Sequence, residues 1–145
     1  MMTHAYMSDY VPYVQNNLGH LFDFAVNECN VMPDEITTMF IRSGVAAQIE
    51  IGNPRYLVGL TGPEIFRVIC SKLNFPEPRI PDVMYLDKSA QYWAGWLVAY
   101  YQWHASITFL SIFTKVSLAQ IINMYYPLHE ASLVKCVTAL DKLTK

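Results

Sequence analysis

Two short pairs of ionisable residues are the first candidates for acid–base or metal chemistry. His129 and Glu130 are adjacent, and His20 and Asp23 are three residues apart. Neighbours on a helix point in different directions, so the first pair is more typical of a helix N-terminus than of a catalytic dyad. The second pair could share a helix face, but no third ligand follows at a zinc-like spacing. We therefore predict no catalytic residue, no metal and no cofactor.

Nucleophile and phosphate-binding signatures are also missing from the sequence. Cys29, Cys70 and Cys136 are far apart and match no zinc or redox spacing. The chain has no Gly-rich phosphate loop and no Ser-His-Asp order. We expect the cysteines to be buried free thiols, as in the reducing cytoplasm, and the N-terminus lacks the basic and apolar regions of a signal peptide. The predicted location is cytoplasmic.

The charge distribution favours contacts between apolar surfaces. Charged residues make up 15% of the chain and hydrophobic residues 53%. From Ser89 to Val134 the formal charges are Lys115 and Glu130. Such a stretch is buried in the protein's own core or also against a partner or a second copy, since large exposed apolar patches usually mark contacts. A net charge of −2 without a basic face argues against nucleic acid, and no apolar run approaches the ~20 residues of a membrane span.

The segment that must position any site is the aromatic stretch 89–104. It contains all three tryptophans and three of the ten tyrosines. Ser89 is a suitable N-terminal cap for a helix. Apolar residues would occupy nearly the whole circumference of that helix, which predicts that it lies in the middle of a bundle. Gly95 costs about 1 kcal/mol inside a helix relative to alanine, so we expect a neighbouring helix to cross closely at Gly95 and Ala99.

The remaining elements predict an all-α protein of about seven helices around the helix at about 89–104. We assign residues 1–8 to a flexible N-terminus and 9–145 to a single helical domain. Thr61 and Glu64 have capping-box spacing. Ser106 and Ser117 are predicted caps of two short helices, and residues 129–131 are predicted to begin the last helix. Three prolines within residues 74–82 predict an extended strap.

Two sets of residues are candidates for binding. Asn53, Arg55 and Tyr56 form a predicted exposed turn, in which arginine and tyrosine are typical interface anchors; the alternative is a salt bridge that ties Arg55 to the loop. Gln102 is a polar residue in the aromatic helix, which either bonds to a loop backbone or contacts a ligand or a partner. The second set, which would line a ligand pocket, consists of Tyr92, Trp93, Gln102 and His129.

Three motifs resemble those of a known family. Gly52–Glu64 (GNPRYLVGLTGPE), Tyr92–Trp103 (YWAGWLVAYYQW) and Tyr126–Ala131 (YPLHEA) occur in the order of a family of small bacterial helical proteins. That family has no established activity, and its genes often neighbour predicted toxin-like genes, including ADP-ribosyltransferase-like ones. The similarity runs from about Ile41 to the end. The chain departs from the family's pattern at 105–109, where a basic residue is missing, and at Ser132, which replaces an acid.

Three functions remain open at this point. The first is a non-catalytic protein-binding component, such as an antitoxin, immunity protein or regulator of a toxin-like protein, which is the role that the resemblance implies. The second is a small enzyme or ligand-binding protein with a pocket beside the aromatic helix. The third is a structural homo-oligomer that pairs its low-charge C-terminal half across a two-fold axis.

Overall fold

The regular structure of this protein is entirely helical in the part that the structure describes. The computed structural model describes residues 3–145, in which no strand is present, and the prediction of an all-α fold is confirmed. Nine α-helices lie in these residues, more than the seven or so expected. They are α1 (Val11–Asp23), α2 (Pro33–Arg42), α3 (Val45–Glu50), α4 (Gly62–Lys72), α5 (Ala90–Ala105), α6 (Phe109–Lys115), α7 (Leu118–Asn123), α8 (Tyr125–Leu128) and α9 (Leu133–Thr144).

Two π-helical turns and one 3₁₀ turn complete the fold. The first π-helical turn, Phe24–Glu28, continues α1, and the second, Arg55–Gly59, precedes α4. The 3₁₀ turn, Ser8–Tyr10, leads into α1. The buried apolar residues of the other elements form one continuous core, whereas the 3₁₀ turn and α8 contain no buried residue.

Several helix starts follow from the local sequence as predicted. The Thr61 hydroxyl accepts a hydrogen bond from the backbone N–H of Glu64 at 3.3 Å, and the Glu64 carboxylate accepts one from Thr61 N–H at 2.9 Å. Ser89 begins α5 by accepting from Tyr92 N–H. Ser117 begins α7 with a complete capping box. In each case a side-chain oxygen satisfies a backbone donor that has no partner inside the helix.

The predicted cap Ser106 is wrong. Ser106 ends α5 in the left-handed region with φ of 54°, and Thr108 begins α6 instead, accepting from Ser111 N–H. The carboxylate of Glu50 also accepts from Phe109 N–H at 2.7 Å, which fixes the start of α6 from another part of the chain. A contact with α3 thus contributes to placing a boundary that local chemistry leaves ambiguous.

The predicted start of the last helix is also wrong. His129 follows the short helix α8, with its backbone N–H donating to the Tyr125 carbonyl at 2.8 Å. The cap of α9 is Ser132, whose hydroxyl accepts from Lys135 N–H. Serine supplies the oxygen that a cap requires, while Pro127 is accommodated inside the single turn of α8, where a missing donor has little cost.

Helix α5 packs most extensively on α1. A Cβ atom at Gly95 would overlap the backbone carbonyl group of Leu18, and one at Gly19 would overlap the ring of Tyr92. The two backbones therefore approach more closely than alanine would allow. The expectation of a close helix crossing at Gly95 is confirmed, with α1 as the neighbour.

One face of α5 is less enclosed than its composition suggests. Trp93, Leu97 and Tyr101 are buried, whereas Tyr92, Trp96 and Tyr100 are half-buried. The second set recurs every four residues, so it forms one face of the helix. Helices α7, α8 and α9 also contact α5. The aromatic helix is thus a boundary between the core and a partly open aromatic surface.

The N-terminal segment and the proline-rich strap both contact the helices. The predicted flexible segment 1–8 includes Met1 and Met2, which lie outside the described residues. Farther on, the His4 ring stacks on Trp103 with centroids 3.9 Å apart, and the Trp103 indole N–H donates to the Tyr6 carbonyl at 2.8 Å. Residues 75–89 contain no helix, as the prolines predict. Arg67 holds this strap by hydrogen bonds to Asp82 and to two backbone carbonyls.

The C-terminal helix is held by a buried phenol. The Tyr101 hydroxyl donates to the Asp141 carboxylate at 2.6 Å and lies 2.7 Å from the Thr144 hydroxyl. The hydrogen bond from Tyr101 lowers the pKa of Asp141, opposed by desolvation and assisted by Lys145, whose ammonium is 3.4 Å away.

We expect the Gly95→Ala variant to be less stable than the wild type by about 1–3 kcal/mol. The added methyl group would overlap the Leu18 carbonyl and lie 2.8 Å from Phe22 Cδ2, and this overlap outweighs the helix propensity gained. Urea denaturation measures the difference. In the matched control Gly59→Ala, the nearest atom to the new Cβ is at 3.6 Å, so stability should be retained. Equal stability of wild type and Gly95→Ala would contradict the close crossing.

We expect the Tyr101→Phe variant to lose about 1 kcal/mol at pH 7, because a hydrogen bond to a partly exposed carboxylate is lost. The lowered pKa of Asp141 means that this stabilisation is complete above the unfolded pKa of about 4 and is lost as the pH falls through the folded value. Urea denaturation at pH 7 and at stepwise lower pH measures the difference. In an Asp141→Asn background it should no longer depend on pH. A wild-type difference that stays constant down to pH 2 would contradict the assignment.

Candidate functional site

A concave aromatic site lies between the first half of α5 and the α8–α9 connection. We call it the aromatic pocket; its volume is about 280 Å³. Its walls are mostly apolar, with a few polar groups, which is the usual form of a binding site for a small group. It is lined by Lys88, Tyr92, Trp93, Trp96, Tyr125, His129, Ala131, Leu133 and Cys136.

The rings on the α8 side are arranged by helical spacing. Tyr125 and His129 are four residues apart and stack, with centroids 4.1 Å apart and planes at 14°. Trp93 meets Tyr125 edge to face at 5.8 Å. Nδ1 of His129 is 2.7 Å from the Tyr125 carbonyl oxygen. Because a carbonyl only accepts, Nδ1 carries a proton, and Nε2 is the ring nitrogen without a hydrogen bond in the described residues.

Lys88 brings a positive charge to the rim of the pocket. Its ammonium lies 4.6 Å from the centroid of the Tyr92 ring and donates to the Tyr85 carbonyl at 3.2 Å. Within residues 3–145 no carboxylate oxygen lies within 4.0 Å of this ammonium. The rim therefore has a cation that the described chain does not neutralise by direct contact.

A polar network behind the pocket fixes Tyr92 and the start of α5. Asp23 accepts hydrogen bonds from Ser89 at 2.5 Å and from Asn27 at 2.8 Å. The Tyr92 hydroxyl donates to Asn16 at 2.8 Å. These contacts tie the N-terminus of α5 to α1, which orients the Tyr92 ring at the pocket wall.

His20 and Asp23 are both buried in this region, but they do not form a metal centre. No cluster of three candidate ligands occurs among the described residues. The His20 ring packs against the edge of Tyr92, with centroids 4.9 Å apart. Burial lowers the pKa of His20, and the charge of Lys88 lowers it further, against an opposing effect of Asp23. The neutral ring is therefore favoured as a packing element beside Tyr92.

Three of the four residues predicted for a pocket line this one. Tyr92, Trp93 and His129 do so, whereas Gln102 lies elsewhere. Gln102 is 3% exposed, and its amide N–H donates to the Ile107 carbonyl at 2.9 Å. Nine residues of helix separate it from Trp93, which corresponds to about 13 Å along the axis. The alternative of a structural hydrogen bond to a loop is the one that the structure contains.

The predicted turn at 53–56 is only partly exposed. Asn53 closes it by accepting from the Arg55 backbone N–H at 3.1 Å and donating to the Gln48 side chain at 2.8 Å. Tyr56 is 5% exposed, so the expectation of an exposed phenol is corrected: the π-helical turn directs this ring into the core. Arg55 is exposed, with no carboxylate within 4.0 Å in the described chain, so the alternative salt bridge is not formed.

Six lining residues were not predicted for the pocket: Lys88, Trp96, Tyr125, Ala131, Leu133 and Cys136. The four-residue spacing of Tyr125 and His129 was an available signal, because it predicts one shared helix face.

The cysteines are free, and burial raises the pKa of all three thiols, to about 11 for Cys29, so the protonated form is favoured. None of the helices in residues 3–145 combines the length and apolar character that crossing a membrane would require.

Comparisons of the chain with protein-family models, with curated proteins and with solved structures find no match. The class of the site therefore follows from its own geometry. It is a pocket between helices with aromatic walls and a cationic rim.

We expect Tyr56→Ala and Arg55→Ala to differ sharply in stability. Removal of the buried Tyr56 ring leaves a cavity and should cost about 3–5 kcal/mol, as for other large aromatic residues. Truncation of the exposed Arg55 should change stability by less than about 0.5 kcal/mol. Thermal and urea denaturation of the two variants test this contrast, and a similar loss in both would contradict the burial assigned to this turn.

Proposed function

We propose that this protein is a non-catalytic protein-binding component whose contact surface surrounds the aromatic pocket. The observation that carries the proposal is the exposure of large apolar side chains around it. Tyr126 is 85% exposed and Val134 is 77% exposed. Isolated exposed apolar residues need no explanation, but a continuous set beside half-buried aromatic rings is typical of an interaction site.

The surface is continuous from α8 to α9. Tyr126 meets Tyr125 of the pocket wall edge to face, with centroids 5.5 Å apart. On the other side, Leu133 lines both the aromatic pocket and a second hollow of about 160 Å³, which also contains Tyr100 and Val134. We call the two hollows and Tyr126 together the aromatic groove.

The composition of the aromatic groove suits a protein partner. Protein interfaces are enriched in aromatic residues and depleted of charge at their centre. Among the residues that line the two hollows, Lys88 is the one with a permanent charge. In this proposal the inner face of α5 forms the centre of the bundle and its outer face, with Trp96 and Tyr100, contacts the partner.

The resemblance to the helical family adds a proposal about the partner's class. We propose a toxin-like bacterial protein as the partner, with this chain as its antitoxin, immunity protein or regulator in the cytoplasm. A second copy of the chain is the competing occupant of the groove, as the homo-oligomer hypothesis requires. Light scattering of the purified protein distinguishes a toxin-like partner from a second copy, since only the homo-oligomer hypothesis requires self-association in the absence of a partner.

We expect Tyr126→Ser to weaken binding of the partner at least 30-fold, because truncation of an aromatic anchor costs about 2–4 kcal/mol at an interface. Affinity purification from the native host first identifies the protein recovered in stoichiometric amount, and calorimetric titration then measures its Kd. Tyr126 is exposed, so the variant should fold normally.

The matched control is Tyr13→Ser, which removes another exposed tyrosine from α1, outside the groove. It should bind like the wild type. An unchanged Kd for Tyr126→Ser, or an equal loss in both variants, would remove the groove as the contact surface.

A further inference from the structure

We propose that the aromatic pocket binds a small aromatic anion, a carboxylate on one or two fused rings, in the protein without its partner. This inference goes beyond the protein-binding role and does not rest on it. It follows from the walls of the pocket, from the polar atoms left free there and from its size.

The walls favour a flat ring. Tyr92, Trp93, Trp96 and Tyr125 line the pocket, and the His129 imidazole stacks on Tyr125. Aromatic rings attract one another in edge-to-face and offset-stacked arrangements, with a gain beyond simple burial of area. A planar ligand can use both arrangements here, because Trp93 and Tyr125 are themselves nearly perpendicular, at 77°.

The pocket has two free donors, the Lys88 ammonium and the Trp93 indole N–H, and the Tyr125 hydroxyl and His129 Nε2 also make no hydrogen bond within residues 3–145. One hydroxyl group and one imidazole nitrogen already have partners. The Tyr92 hydroxyl donates to Asn16, and Nδ1 of His129 donates to the Tyr125 carbonyl. The Lys88 ammonium has three protons and makes one hydrogen bond within the described chain, to Tyr85. A ligand that supplies acceptor oxygens matches this set.

Trp93 provides a second donor. It is 8% exposed, yet its indole N–H makes no hydrogen bond within the described residues, in contrast to Trp103, which donates to Tyr6. The nitrogen is not sealed, since the fully enclosed side-chain polar atoms without a partner in residues 3–145 are the Tyr6 hydroxyl and Gln102 Oε1. The indole N–H is therefore free to donate to a ligand oxygen in the pocket.

The sign of the charge follows from Lys88. Aromatic pockets often bind cations over their ring faces. Here an ammonium group of the protein already stands 4.6 Å from the Tyr92 ring centroid, so a cationic ligand would be repelled. Two acids are near the pocket. Glu130 is almost fully solvated and lies 3.9 Å from His129 Nε2, and Asp23, behind the wall, accepts hydrogen bonds from Ser89 and Asn27. An anion is therefore the complementary ligand.

The size limits the ligand to one or two rings. A volume of about 280 Å³ is at the lower end for small-molecule pockets, which span about 300–1,000 Å³. Indole-3-acetate is a probe of this size and charge. Indole and tryptamine have the same ring system with no charge and with a positive charge, so the three compounds isolate the contribution of the carboxylate.

The three tryptophans allow a direct test by NMR of ¹⁵N-labelled protein without partner, because each gives one indole N–H signal. We expect indole-3-acetate to shift the Trp93 and Trp96 signals saturably and to leave the Trp103 signal unchanged, since that N–H is bonded to Tyr6. Indole should bind at least tenfold more weakly, and tryptamine more weakly still. Shifts of all three signals without saturation, or tryptamine binding as tightly as indole-3-acetate, would overturn the proposal.

Two variants identify the groups that act. Lys88→Gln should weaken indole-3-acetate about tenfold and leave indole unchanged, whereas Lys115→Gln, which changes an exposed lysine outside the pocket, should bind like the wild type. Trp93→Phe keeps a ring but removes the donor and should also weaken binding. Unchanged affinity for indole-3-acetate in Lys88→Gln would refute the charge selection. The two proposals fail separately. A variant that loses partner binding but still binds indole-3-acetate affects only the protein-binding role, and a variant that loses indole-3-acetate but still binds the partner affects only the ligand site.

Discussion

The close contact of α1 with α5 is the constraint on which the rest of the structure depends. It requires glycine on both helices, because the carbonyl group of Leu18 occupies the space of a Gly95 side chain and the Tyr92 ring occupies that of a Gly19 side chain. The contact also fixes the rotation of α5 about its axis. Successive residues are about 100° apart, so a helix with Gly95 against α1 has Trp96 at the side of the pair. The half-buried aromatic face follows directly from this geometry.

The groove depends equally on the short C-terminal elements. Helix α9 forms one wall with Leu133 and Val134, and it buries Cys136, Val137 and Leu140. Its far end is held by the hydrogen bond from Tyr101 to Asp141, and its near end is linked to α8 by a contact between the Cys136 thiol and the Leu128 carbonyl at 3.5 Å. A few contacts therefore set the distance between the α9 wall and the rings of α5.

Much of the fold could be predicted because its signals are local. The capping box of Thr61 and Glu64 and the cap at Ser89 each satisfy a backbone donor within three residues, so no knowledge of the rest of the chain is needed. The close crossing at Gly95 could be predicted because glycine in an apolar helix has a cost that packing must offset. Ser106 and Thr108 show the limit. Both are hydroxyl residues near the same boundary, and the contact from Glu50 to the start of α6 is non-local.

The candidate site was less accessible to sequence reasoning for a similar reason. Tyr92, Trp93 and His129 could be named because aromatic and imidazole side chains are suited to binding, but their convergence depends on where α8 packs. Gln102 has equally suitable chemistry and is directed to the Ile107 carbonyl, away from the pocket. Tyr56 was misjudged because a π-helical turn, which has no clear sequence signal, directs its ring into the core.

The aromatic pocket is one of the two hollows of the aromatic groove, and this has a consequence for how a ligand and a partner would bind together. Leu133 lines both hollows, while Trp96 and Tyr125 line the pocket only. A ligand seated against these rings would also contact the start of α9, the wall that a partner would cover. If the ligand and the partner prefer different positions of that wall, each alters the affinity of the other by the same factor, since coupling between two binding events is reciprocal. The few contacts that hold α9 are therefore the part of the fold through which occupancy of the pocket could affect the proposed protein contact.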